Sequence, residues 1–257
     1  MRISRVFAPG CYKEGQTFEV EGETSHYLKT VLRLRKGWQL VLFDGAGQEC
    51  PATIEGFGRD STLMRLGRPV QRNRESPLKV RLVLGISRGE RMDLAIQKAV
   101  ELGVDQITPL LTAFCVVRLD EEKKELRLAH WERVIRSAME QCGRNALPAL
   151  DAPIPIDDWL ASRTPFGHEF ILDPGAQNGL ADWAISPQEL TLVIGPEGGF
   201  SEEERGRAIE AGLQAVKMGP RILRTETAVI AGLSAVQTLW GDLGANLRSS
   251  IPEVREL

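Results

Sequence analysis

The chain reads as an α/β protein: a mostly parallel sheet with helices on both faces, preceded by a small β-barrel. Up to about residue 70, short alternating segments are separated by Gly-containing turns, the mark of strands with one buried face. After Pro77, apolar runs alternate with amphipathic stretches of helical period, the mark of βαβ units. Three of those apolar runs end in turns built from glycine and proline, "LDPGA", "IGPEGG" and "MGPRIL", at the sheet end where open α/β folds bind ligands.

In the first region the strand signals are "TFEV", "QLVLFDG", "CPATI" and "STLMRLG". Within it "SHYLKTVLRLRKG", Ser25 to Gly37, has helical spacing, with Arg33, Arg35 and Lys36 gathered at its end where the helix dipole favours cations. The polar stretch "PVQRNRESP", bounded by Pro69 and Pro77, reads as a linker, which divides the chain into residues 1–72 and 73–257. Beyond it the strand signals are "KVRLVLGIS", "QITPLL", "EFILD", "LTLVIG" and "QAVKM". The helix signals are "RMDLAIQKAVELG", "EEKKELRLAHWERVIRSAMEQCG", "SEEERGRAIEAG" and "TETAVIAGLSAVQTLWGDL". The last carries Ala228, Ala231, Gly232, Ser234 and Ala235, a small-residue face on which another helix can approach closely.

A length of 257 residues, 42% of them hydrophobic, is enough for one large domain or two ordinary ones. No apolar run approaches the roughly 20 residues of a membrane span, and "MRISRVFAPG" lacks the apolar core of a signal peptide, so the expected compartment is the cytoplasm. Cys11, Cys50, Cys115 and Cys142 are scattered without a C-x-x-C pair, and no metal site or disulfide framework is expected. The net charge of −3 hides an asymmetry: residues 1–76 carry +3, residues 77–145 carry +2 and residues 146–257 carry −8. A basic amino-terminal half on an acidic remainder fits a protein that grips a polyanion with one part. A solvated basic surface would have the same composition.

The stretch "LVIGPEGGFSEEE", Leu192 to Glu204, has the outline of a phosphate cradle, a strand running through glycines into a helix start. Its charges oppose that use. Glu197 lies in the loop and Glu202, Glu203 and Glu204 fill the first turn; repulsion between close charges reaches ~4 kcal/mol near a surface, whereas a helix N-terminus offers an anion about 0.3 to 1 kcal/mol. Ser201 and Glu204 match the S-x-x-E capping box, which leaves Gly195, Pro196, Glu197 and Gly198 shaped around something neutral or cationic. A second turn, "VKMGPRILRTETAVIAG", repeats the theme from Val216 to Gly232. Such loops can enclose an adenine and a ribose with no phosphate contact.

Taken in order, "SRGERMDLAIQKAVELGV", "EQCGRNALP", "IGPEGGFSEEE" and "MGPRILRTETA" resemble the ribosomal RNA small subunit methyltransferase E family over nearly the whole chain. The resemblance implies a SPOUT-type parallel sheet with a C-terminal trefoil knot, a PUA-like amino-terminal barrel that binds RNA, and a homodimer. It implies methylation of N3 of a uridine in 16S ribosomal RNA with S-adenosylmethionine as cofactor. It places that cofactor against Leu172, Gly195, Pro196, Glu197, Gly198, Met218, Gly219, Ile222, Leu223, Arg224, Thr225 and Ala228. Uracil N3 must lose its proton before it is methylated, so a cation that stabilises the anion and a base are sought. Arg144 is the first choice for the cation; Arg224 is a second, and Glu226 is a candidate base or a helix-capping residue. His26, Arg33 and Arg35 in the barrel, with Arg88, Arg91 and Arg144, are the candidate RNA contacts, Arg88 and Arg91 being read at the domain junction. Lys98 and Glu101, three apart, read equally as an intrahelical ion pair.

Two alternatives stay open on sequence. One is a SPOUT methyltransferase acting on a ribose 2'-hydroxyl or on transfer RNA; the other is a non-catalytic RNA-binding assembly factor.

Overall fold

The computed structural model describes residues 3–115 and 120–244. They form two compact units, one of residues up to Glu75 together with Arg136–Leu147, the other of Ser76–Ile135 and the chain from Pro148 onward.

The first unit holds a six-stranded mixed sheet. Its strands are β1 (Ser4–Phe7), β2 (Thr17–Glu21), β3 (Gln39–Phe43), β4 (Gln48–Phe57), β5 (Ser61–Leu66) and β6 (Val70–Gln71). The order is β1-β3-β4-β5-β2, with β6 on β4; β1 and β3 run parallel and the other pairs antiparallel. Period-2 alternation sends Val6, Val20, Leu40, Leu42, Ile54 and Met64 from five strands into one core, closed by Leu28 and Leu34.

The predicted helix from Ser25 onward is shorter than its spacing suggests. Helix α1 (Gly22–His26) passes into a π-helical turn, Tyr27–Val31, where Leu32 N–H donates to Tyr27 O at 3.0 Å. Arg33 then takes a left-handed conformation at φ 52°, and Leu34 N–H returns to Leu28 O at 3.0 Å. This wide turn buries both Leu28 and Leu34, which a regular helix through Gly37 would not close in the same way. The stretch read as a linker is tied down: it carries β6, Arg72 pairs with Glu49 at 3.0 Å, and Arg74 donates to Gly143 O at 3.2 Å.

The second unit is built on seven strands, all parallel: β7 (Lys79–Gly85), β8 (Gln106–Leu111), β9 (Ala149–Leu150), β10 (Ile154–Pro155), β11 (His168–Leu172), β12 (Glu189–Ile194) and β13 (Gln214–Val216). Their order is β10-β8-β7-β12-β11-β13, with β9 on β8. Helices are α2 (Glu90–Glu101), α3 (Glu121–Cys142), α4 (Ile156–Ser162), α5 (Glu202–Glu210) and α6 (Thr225–Trp240), and the last residues of α3 belong to the first unit. Helix α4, with β9 and β10, had no sequence signal, because a few residues are too short to display a period.

Val83, Ile171 and Val193 join Trp159 of α4 and Ala208 of α5 in one cluster. Leu192 and Ile194 point to the opposite face, where the bare Cα of Gly232 on α6 lets a Leu192 methyl come within 3.0 Å of where a Cβ would stand. Helices therefore cover both faces, as expected of a parallel sheet whose central strand β12 is buried from Leu190 to Ile194.

Candidate active site

Strands β12, β11 and β13 are neighbours in the sheet, so the three turns that leave their carboxyl ends converge. Asp173 N–H donates to Val216 O at 2.9 Å, extending the β11–β13 pairing into the turns. The loop after β12 closes on itself through Gly199 N–H to Pro196 O at 2.9 Å, with Gly199 at φ 70°. Below it β7 ends in Gly85, where a Cβ would lie 2.3 Å from Pro196 N; only glycine lets the loop cross there. That requirement was not read from the sequence, since Gly85 is far from Pro196 along the chain.

The turns enclose a cavity of about 390 Å³. Leu172, Gly195, Pro196, Glu197, Gly198, Met218, Gly219, Ile222, Leu223, Thr225 and Ala228 line it, which brings together every predicted cofactor residue except Arg224. Ile222 stands at the rim, 87% exposed, rather than forming a buried wall. Four charged lining residues are Asp173, Glu197, Arg205 and Arg221; of these only Glu197 is a sequence candidate. Asp173 accepts Gly175 N–H at 2.9 Å and pairs loosely with Arg205 at 3.3 Å.

Two contacts hold the β12 loop. Thr225, buried at the start of α6, donates its hydroxyl to Gly195 O at 3.3 Å and so ties the two glycine turns to each other. Glu197 accepts from Arg88 N–H and from the Arg91 guanidinium, each at 3.2 Å, which anchors the loop to the start of α2. Partial burial opposes ionisation of Glu197, but hydrogen bonds from its own and Arg88's backbone N–H and from Arg91 outweigh it and hold the carboxyl below the usual range. Arg91 is thereby partly committed to Glu197, while the Arg88 side chain is exposed.

Ser201 and Glu204 form the reciprocal cap of α5: Glu204 N–H donates to Ser201 Oγ at 3.1 Å and Ser201 N–H to Glu204 Oε2 at 2.9 Å. Glu204 Oε1 also accepts Ala113 N–H at 2.7 Å, a tertiary contact that the capping motif alone does not announce.

The candidate catalytic residues differ in their surroundings. Arg224 occupies the N-cap position of α6, exposed, with no side-chain partner among the described residues. Glu226 makes no capping bond, and its Oε2 is buried without a hydrogen-bond partner. Arg144, in the first unit, is buried, and its Nε donates to Glu75 Oε2 at 2.8 Å. Ala146 N–H donates to the other Glu75 oxygen at 3.4 Å, so this guanidinium braces its own segment.

In the first unit His26, Arg33 and Arg35 are exposed, and neither arginine has an ion-pair partner among the described residues. Lys98 and Glu101 form an ion pair at 2.8 Å within α2. Among the described residues no group of His, Cys, Asp or Glu is arranged to hold a metal ion, and no helix is long and apolar enough to cross a membrane.

The family model described as an RNA methyltransferase domain matches residues 74–237, and one described as an RNA methyltransferase PUA domain matches residues 20–61. The chain is 34% identical to ribosomal RNA small subunit methyltransferase E of Buchnera aphidicola over 94% of its length and 98% of that protein's. It belongs to the ribosomal RNA small subunit methyltransferase E family. The family member of Mycobacterium tuberculosis is 32% identical over 88% of this chain and 87% of that one. Among solved structures, a methyltransferase of Legionella pneumophila with bound cofactor SAM superposes at TM-score 0.91 with 40% identity, covering 94% of this chain and all of that one. The family's Neisseria gonorrhoeae member, bound to S-adenosylmethionine, superposes at TM-score 0.87 with 35% identity over 95% of this chain and all of that one.

Proposed function

We propose that this chain methylates N3 of a uridine in the 16S RNA of the small ribosomal subunit, using S-adenosylmethionine. The observation that carries the reading is the cavity at the carboxyl ends of β11, β12 and β13, walled by backbone and apolar groups and rimmed by charges of both signs. S-adenosylmethionine has an adenosine, two cationic centres and a carboxylate, and no phosphate; it supplies an electrophilic methyl group. The residues fit it. Leu172, Leu223 and Ala228 offer apolar walls and Gly195 and Gly198 a close-approaching backbone, while Asp173 and Glu197 offer carboxylates and Arg205 and Arg221 cations.

For the chain's own part in the chemistry, the structure favours Arg224 and Glu226 over Arg144. Arg224 has an open guanidinium to set against the uracil anion, and Glu226 has an unpartnered carboxylate oxygen to receive the N3 proton. Arg144 is retained as a cation that orients a uracil carbonyl, with Glu75 fixing its plane. His26, Arg33, Arg35 and Arg88 are assigned to RNA phosphates, with Arg91 shared between RNA and Glu197.

A barrel domain of 1–72, a knotted domain of 73–257 and a cytoplasmic homodimer rest on the resemblance. The homodimer is supported by the uncovered stripe of α6, Thr227, Ile230 and Thr238, beside small Ala231 and Ser234.

The test is nucleoside mass spectrometry of 16S RNA from a strain lacking its own family member and complemented with this chain. Return of 3-methyluridine is expected. A methyl on ribose, or none from a chain that binds S-adenosylmethionine in calorimetry, overturns the reading.

A further inference from the structure

A second, smaller cavity of about 240 Å³ lies at the opposite end of the same sheet. Its floor is a polar row set by strand register: Glu169 on β11 stands beside Thr191 on β12, Thr191 beside Arg81 on β7, and Arg81 beside Gln106 on β8. The next residues on this face, Ile171, Val193 and Val83, are the apolar core under α4 and α5. The sheet thus changes from apolar to charged within one repeat of the pleat, under Trp159 of α4 and Arg163 just after it.

This row is built, not merely wet. Arg163 and Glu169 form an ion pair at 2.9 Å with both side chains 8% exposed, and Arg163 is further fixed on Leu160 O and Ala211 O. Asp151 Oδ2 accepts from Gln106 at 2.7 Å and from Thr108 at 2.5 Å, which orients that carboxylate. Between the two carboxylates sits Arg81, its guanidinium 3.8 Å from the centre of the Phe166 ring. Among the described residues its guanidinium makes one hydrogen bond, a 3.5 Å contact to Thr164 O, and no carboxylate lies within ion-pair distance of it. Among the described residues Asp151 Oδ1 and Glu169 Oε1 carry no hydrogen bond, and both residues line the cavity together with Arg81. A partly exposed guanidinium without an anion, lining the same cavity as two held carboxylates, can accept a bridging group that carries both charges.

We propose that this cavity binds a small zwitterion, an α-amino acid, with its carboxylate on Arg81 and its ammonium on Asp151 or Glu169. The size agrees: about eight waters would fill it at ~30 Å³ each, below the ~300 Å³ at which drug-sized pockets begin. The four charges sum to zero, which suits a neutral zwitterion over a free anion or cation. The site is separate from the glycine-turn cavity and independent of the proposed reaction.

The test is saturation-transfer NMR on the full chain with free L-methionine, L-glutamate and L-arginine, with the Arg81→Met and Asp151→Asn variants distinguishing this cavity from the larger one. At least one should give transfer, and its N-acetyl and carboxamide derivatives should not. Arg81→Met and Asp151→Asn should each weaken it roughly tenfold or more, the scale of a lost hydrogen bond to a charged group, with S-adenosylmethionine affinity unchanged as the check on folding. If Arg81→Met does not fold, Asp151→Asn carries the test. No transfer from any of the three amino acids, or transfer indifferent to the variants or to removal of either charge, overturns the proposal and leaves a water-filled crevice.

Discussion

Thr225 Oγ donates to Gly195 O at 3.3 Å, joining the first residue of α6 to the first glycine of the loop after β12. The bond is partly buried and links two turns thirty positions apart in the chain, so each limits the other's freedom. Thr225→Val keeps the shape and removes the donor. We expect S-adenosylmethionine affinity to fall about fivefold, for roughly 1 kcal/mol, with Thr225→Ser close to the parent in calorimetry. Equal affinity for all three would show that the turns hold without the bond.

Gly198 lines the cavity, but its Cβ would point at Phe114, 2.6 Å from that residue's Cβ. A side chain there strikes the neighbouring loop before any ligand, which revises the simplest reason for the glycine. Gly198→Val should abolish cofactor binding, and Gly198→Ala should weaken it more than about tenfold by displacing the loop. Phe114→Ala combined with Gly198→Ala should recover part of the loss; strict additivity of the two substitutions in calorimetry would rule out the clash as the cause.

Arg144 and Glu75 form a pair with side chains 6% and 13% exposed. Arg144→Ala leaves a buried carboxylate and should destabilise the chain by about 3 kcal/mol in urea unfolding, in addition to lowering methyl transfer. Glu75→Gln in the same chain should restore much of the stability. Turnover restored along with it would assign Arg144 to structure alone.

Arg33 holds a left-handed backbone at φ 52°, a conformation that costs a non-glycine residue about 1 kcal/mol. Arg33→Gly should therefore leave the chain as stable or slightly more so while weakening RNA binding. Its slope of affinity against salt should become shallower by about one charge. An unchanged slope would remove Arg33 from the RNA surface.

Glu140 accepts Phe7 N–H at 3.1 Å; its burial pushes its carboxyl above the usual range and outweighs that bond and one from Tyr27. Glu49 has the opposite outcome: burial raises it, but Arg5, Asn145 and Arg72 together bring it below the usual range. The signs follow. The Glu140 contribution is full in acid and is lost as pH rises through its raised folded value; the Glu49 contribution is present at higher pH and is lost as pH falls through its lowered one. Glu140→Gln should consequently lose stability more steeply than the parent on acidification from neutral, measured by urea unfolding at several pH values. A parallel pair of curves would refute it.

The order of the longer strands and helices in the second unit, the α5 cap and the turns that line the cavity were legible because they depend on local properties: hydrophobic period, glycine and proline chemistry, and the spacing of Ser201 and Glu204. The same local reasoning separated a phosphate site from a carboxylate-bearing loop. It did not find the short α4, or the π-helical turn that ends α1 early, because neither has enough residues to display a period. Pairing decided the rest. The order β12-β11-β13 brings distant turns to one cavity, Gly85 lies under Pro196, and Glu197 reaches the start of α2. Arg136–Leu147 packs with the first unit, which buries Arg144 against Glu75, although its sequence position follows the second unit's helix. A residue's neighbours in sequence determine its backbone preference, but its charge partner and burial come from segments that meet only when the sheet closes. That is why the cavity's glycines could be named in advance and the fate of each arginine could not.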